Sequence, residues 1–174
     1  MKEKGILIAM LCTVIVVMAV AFAAFQTTLK INGTASIESN WCVRIKDNPT
    51  CTKTPVAGGS SSSVTASVTK VSATTATISM GFTQPGDSAT CTIVFENCGS
   101  VNAKLNNLLI TGNDEKGAIR FTVTGLTKDA TLTKGTGTHT AVVTGKYDTS
   151  VTTQPTDAEK SKNLTITAEY VQNF

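Results

Sequence analysis

The hydrophobic rhythm of the chain changes once. Residues 6–25 carry no charge and are almost all apolar, behind Lys2 and Lys4; beyond them apolar and polar residues alternate with a period of two. A run apolar on every face predicts a helix, and twenty residues at about 1.5 Å each reach roughly 30 Å, the thickness of a bilayer core. The alternation predicts strands with one buried and one wet face. Leu29, Ile31, Ala35, Ile37, Trp41, Val43 and Ile45 share one parity, while Lys30, Asn32, Thr34 and Ser36 take the other. Further strands are expected at 64–71, 75–82, 88–96, 103–111, 118–125, 139–147 and 164–171. In the last, Leu164, Ile166, Ala168 and Tyr170 face one way and Thr165, Thr167 and Glu169 the other. Gln84-Pro85-Gly86-Asp87 has the residues of a type II turn, with Pro presetting φ and Gly accepting a positive one. Residues 58–63 and 152–162 read as polar loops. Eight or nine short strands predict an all-β fold, a single Ig-like or jelly-roll β-sandwich over 24–174. A hydrophobic signal or anchor helix over 1–23 precedes it.

Composition narrows the function. Threonine occurs 31 times in 174 residues, and β-branched side chains suit a pleated sheet. A net charge of +3 without a dense Lys/Arg run gives no footing for a nucleic-acid partner. One His leaves little for acid–base chemistry: there is no HExxH and no GxSxG, and a Ser–His–Asp relay would rest on His139 alone. His139 reads as an exposed residue at a strand start. Asp114-Glu115 and Asp157 with Glu159 read as solvated turns, with calcium the sharper alternative. Asn32-Gly33-Thr34 and Asn163-Leu164-Thr165 match glycosylation sequons. We therefore expect no enzyme, no metal and no cofactor.

The leading run directs the chain out of the cytoplasm by one of several routes. Ala21-Phe22-Ala23 fits signal-peptidase cleavage before Ala24. Lys4-Gly5 ahead of a hydrophobic helix is similar to a prepilin-peptidase site, where a cut between Gly5 and Ile6 leaves the helix on the mature subunit; the glutamate usual near the start of a bacterial type IV pilin is missing. The third route keeps the helix as a membrane anchor.

Four cysteines follow the run: Cys42, Cys51, Cys91 and Cys98. An even count outside the cytoplasm implies two disulfides. Cys91 and Cys98 flank one expected strand, and seven extended steps hold them roughly 23 Å apart, beyond the ~7 Å reach of a disulfide. Both therefore bond a hairpin carrying Cys42 and Cys51, and parity favours Cys42–Cys98 and Cys51–Cys91. Spacings of nine and seven differ from the CxxC of structural zinc. Cys12, inside the apolar run, reads as a small hydrophobe.

Two stretches carry a resemblance. The junction AVAFAAFQTTLKINGTASI, and the span from Gln84-Pro85-Gly86-Asp87 through Thr92-Ile93 to Asn97-Cys98-Gly99-Ser100, are similar to the TasA/camelysin family of Gram-positive matrix proteins. Cysteines flanking the central strand depart from that family's pattern. The resemblance implies a fibre subunit whose N-terminal strand completes a neighbour's sheet. The camelysin label of metalloprotease finds no ligands in this His-poor chain.

The expected role is a structural subunit of a filament at the cell surface or in an extracellular matrix, with the chain itself as partner. Its assembly strand, 24–37, presents Leu29, Ile31, Ala35 and Ile37. The helix gives contact with the membrane before processing or permanently. Two alternatives are a pilin-like subunit with the helix in the filament core and a monomeric anchored adhesin.

Overall fold

The computed structural model of the chain describes residues 2–25, 40–60, 63–114, 117–153, 155–157 and 159–173. It comprises two compact units, 1–37 and 38–174.

In the first unit, α1 (Lys2–Phe25) takes in the whole apolar run. Met10, Leu11 and every residue from Val14 to Met18 are more than half exposed, so no face of this stretch is packed. Side chains of α1 are described at 4–6 and 10–18. Among the described residues no helix is long and apolar enough to cross a membrane. The helix continues past Ala21, Ala23 and Ala24 to Phe25, so the expected boundary at 23/24 falls inside an element.

The second unit is an all-β sandwich. Its strands are β1 (Val43–Ile45), β2 (Thr50–Thr54), β3 (Val64–Lys70), β4 (Thr75–Phe82), β5 (Ser88–Asn97), β6 (Ala103–Thr111), β7 (Ile119–Thr124), β8 (Thr131–Leu132), β9 (Thr138–Tyr147) and β10 (Ser161–Gln172). One sheet runs β1-β5-β9-β7, with β2 also on β5; the other runs β3-β4-β10-β6-β8. Every pairing is antiparallel. The alternation read from the sequence becomes a strict one-in, one-out burial along β4 and β5. Ile93, Phe95 and Val143 of the first sheet meet Ile78, Met80, Leu164 and Ile166 of the second in one core. Each such side chain stabilises by about 1.5–3 kcal/mol when taken from water. The threonines line the outer faces: Thr52, Thr90, Thr144 and Thr122 stand in register across four strands, and Thr75–Thr167 and Thr77–Thr165 hydroxyls pair at 3.2 Å on the other sheet.

Several expectations change. The residues around Cys42 and Cys51 form no hairpin. β1 and β2 run in line along the same edge of β5, as one strand broken at Asp47-Asn48-Pro49, where Asn48 has φ +67° and Pro49 can donate no ladder bond. Lys46 N–H still reaches the Val94 carbonyl, so three residues bulge opposite one and inward parity survives the break. Trp41 leaves the inward set: it precedes β1 and is 41% exposed. β2 and β8 lack the periodic apolar residues that predict a strand. β6 contains a bulge opposite Glu169/Tyr170, where Asn106 is extra, and Leu108 and Ile110 become its inward positions beyond it.

Candidate assembly interface

The edge where the chain enters the sandwich is secured three ways. Cys42 bonds Cys98 and Cys51 bonds Cys91, with Cα separations of 5.0 and 4.1 Å. Cys51 lies directly opposite Cys91 in the β2–β5 register, and Cys42 and Cys98 flank the first β1–β5 pair, Val43–Asn97. Two disulfides are the chemistry of an oxidising, extracellular-type compartment. Outside the covalent link, Asn40 and Ser100 exchange two hydrogen bonds of 2.9 Å: Asn40 N–H donates to Ser100 Oγ, and Ser100 N–H to the Asn40 carbonyl. Gly99 has to be glycine here, because a Cβ would run into the Asn40 carbonyl and the Cys42 amide. Asn97 organises the turn from inside: buried, it donates from Nδ2 to the Val101 and Leu132 carbonyls and accepts Gly99 N–H at Oδ1. Asn97-Cys98-Gly99-Ser100 is thus a clamp on the incoming chain. Sequence alone flagged the motif without its partner, because Asn40 is 60 residues away.

Gln84-Pro85-Gly86-Asp87 forms the expected turn, with Gly86 at φ +98° and Asp87 N–H bonded to the Gln84 carbonyl at 3.1 Å. Its Asp87 carboxylate is fully buried. Oδ2 accepts the Thr83 and Gln84 amides and Oδ1 the Val56 amide. The motif therefore staples the β2–β3 connection to the β4–β5 turn.

The two sides of the sandwich differ. On the β1 side, Ile45 N–H donates to the Ala73 carbonyl and Lys70 Nζ to the Ile45 carbonyl, bridging the sheets. On the opposite side, among the described residues, β6 beyond Leu105 pairs only with β10 and β7 only with β9. Alternate residues of 106–111 and of 119–124 therefore turn their backbone groups outward, and of these the Phe121 N–H donates to Asn113 Oδ1 at 3.4 Å. Leu108, Ile110, Ala118, Val123 and Leu126 are only partly buried against the core along this rim, and Leu109 beside it is 51% exposed.

His139 stands at the start of β9 as expected but is not exposed. It is half-buried in β9 opposite Phe95, with Nδ1 3.1 Å from the Tyr170 hydroxyl and Nε2 3.3 Å from the Thr131 carbonyl. Both ring nitrogens are engaged in joining β8, β9 and β10. Burial pushes the Tyr170 phenol well above its usual 10.0. A group raised in the folded state supports folding fully below its unfolded value and loses that support as pH climbs beyond it. Alkaline titration followed by phenolate absorbance should therefore show Tyr170 ionising above pH 10 together with loss of sheet circular dichroism; ionisation at the ordinary value in a folded chain would refute this.

The acidic turn at Asp157 and Glu159 closes on itself, and Glu115 lies outside the described residues. Glu159 accepts the amide and hydroxyl of Thr156, which hold its carboxyl below the usual range, and Asp157 pairs with Lys160. Among the described residues no three His, Cys, Asp or Glu side chains gather as a metal site. Asn163 is exposed on β10, its Oδ1 taking the Ser79 hydroxyl. Leu29, Ile31, Ala35, Ile37 and Asn32 lie outside the described residues; Gly5 and Ile6 lie in α1. No family model matches the chain, and neither a curated protein nor a solved structure is similar to it.

Proposed function

We propose that this chain is a non-catalytic structural subunit of an extracellular filament, at the cell surface or in a matrix, in which residues 24–37 of one subunit add as a strand to the next. The observation that carries the reading is the open β6/β7 rim, six residues long on each strand and flanked by half-covered apolar side chains. An added strand gives these backbone groups partners, each hydrogen bond contributing about 0.5–1.5 kcal/mol net. Leu29, Ile31, Ala35 and Ile37 share one face and suit the gap between the sheets. The resemblance to TasA-like fibre proteins supports the same reading. Exposed apolar side chains around α1 favour a second one, in which the retained helix packs in a filament core; a membrane-anchored monomer is the remaining alternative.

Deleting 24–36 distinguishes these. The truncated domain should stay soluble and monomeric by electron microscopy and sedimentation, and a synthetic 24–37 peptide should bind it and raise its Tm. Filaments formed by the truncated protein would exclude strand addition. N-terminal sequencing of the protein from cells separates the alternatives: Ala24 marks cleavage, Ile6 a pilin-like subunit, Met1 an anchor.

A further inference from the structure

The chain enters the sandwich through the weakest strand of its sheet. β1 has three residue pairs with β5 and lies at an edge, whereas β5 is central, with nine pairs to β9 and Ala89, Cys91, Ile93 and Phe95 at no more than 1% exposure. Pulled from Asn40, an edge strand of this kind opens one pair at a time, from the end nearest the load. The disulfide sits at that end. Cys42 is the residue before β1, and its partner Cys98 is the residue after β5. Tension arriving at Cys42 therefore bypasses β1 and is delivered at Cys98, where it is shared between the turn that follows and the end of β5, which can leave only by breaking its nine-pair ladder and exposing its core side chains. The Asn40–Ser100 pair lies on the loaded side of the same link.

We propose that the Cys42–Cys98 disulfide, with the Asn97–Ser100 turn around it, is a force-carrying clamp. It transfers tension from the N-terminal segment to the central strand of the sandwich and shields residues 43–97 from extension. Cys51–Cys91 is the second stop, holding β2 to the middle of β5. The inference rests on the reading that the N-terminal segment tethers the subunit, whether to a neighbour or to a membrane. It does not depend on which.

Single-molecule pulling on the full chain tests it without any filament, so its failure is distinguishable from failure of the assembly reading. The oxidised protein, held at Asn40 by an inserted tag and at Phe174, should show no extension before global unfolding. Its unfolding should release roughly 190 Å less chain than the reduced protein, the 56 steps enclosed by the clamp at about 3.4 Å each. That shortfall follows from any closed disulfide; the early step is what distinguishes a clamp. Cys42→Ala/Cys98→Ala should add a low-force step of roughly 8 Å as β1 and its connection peel back to Cys51, because the nine freed steps, about 31 Å, already span the roughly 23 Å of β5 between Cys98 and Cys91. The same variant pulled between a tag at Gly135 and Phe174 should show no such step. Absence of the early step, or its appearance from both handles, overturns the proposal. If the variant does not fold, the wild type under constant force with dithiothreitol decides. Reduction of the folded protein pulled from Asn40 should speed up with force; a rate independent of force refutes the clamp.

Discussion

Reduced with dithiothreitol, the sandwich is expected to fall to the margin of unfolding at room temperature. Each closure spans a long segment, 56 and 40 residues, and alone stabilises by about 4 kcal/mol through the entropy removed from the unfolded chain. The loops are nested, so the inner closure acts within an already restricted chain and the total is less than the sum. Even so, it is a large part of the ~5–15 kcal/mol available to a domain of this size. Urea unfolding of the oxidised protein and of Cys42→Ala/Cys98→Ala and Cys51→Ala/Cys91→Ala measures each share. Peptide mapping without reductant should find these two bridges and no Cys91–Cys98 linkage. Four free thiols, or a urea midpoint unmoved by reduction, would contradict this account.

Asp87→Ala should cost about 3–5 kcal/mol, among the largest effects available to one side chain outside the apolar core. The carboxylate is fully buried and is the acceptor for three backbone amides, those of Val56, Thr83 and Gln84. Hydrogen bonds to a charged acceptor contribute about 1.5–3 kcal/mol each, and an orphaned buried donor costs a comparable amount. Asp87→Asn keeps the shape but sets an amide NH₂ against at least one of those N–H groups, so it should recover only part of the loss. The predicted order in urea is wild type, Asn, Ala; a change below 1 kcal/mol for Ala would show that water replaces the carboxylate. The Pro-Gly-Asp motif is, on this account, a folding element.

The main strands were legible because alternation is a local property: the faces of β4, β5 and β10 follow from which neighbours two residues apart are apolar. The preference for Cys42–Cys98 and Cys51–Cys91 rested on parity, which holds although the expected hairpin does not form. The N-terminal helix needed only the absence of charge over twenty almost wholly apolar positions. β2 escaped notice because Thr-Cys-Thr-Lys-Thr has no apolar contrast, and its strand character comes from pairing with β5. His139 was misread for the same reason: its partners, Tyr170 and Thr131, are 31 and 8 residues away, and nothing near it in sequence announces them. The clamp on Asn40, the bridge from Ile45 to Ala73 and the open rim of β6 and β7 were likewise invisible. What the sequence by itself determined is which residues form the main strands and which way most of their side chains face, since both depend on a two-residue period. Only the tertiary structure decided which strands become neighbours, and so which edge is covalently secured and which is left unpaired. Those outcomes depend on hydrogen bonds and packing between segments tens of residues apart.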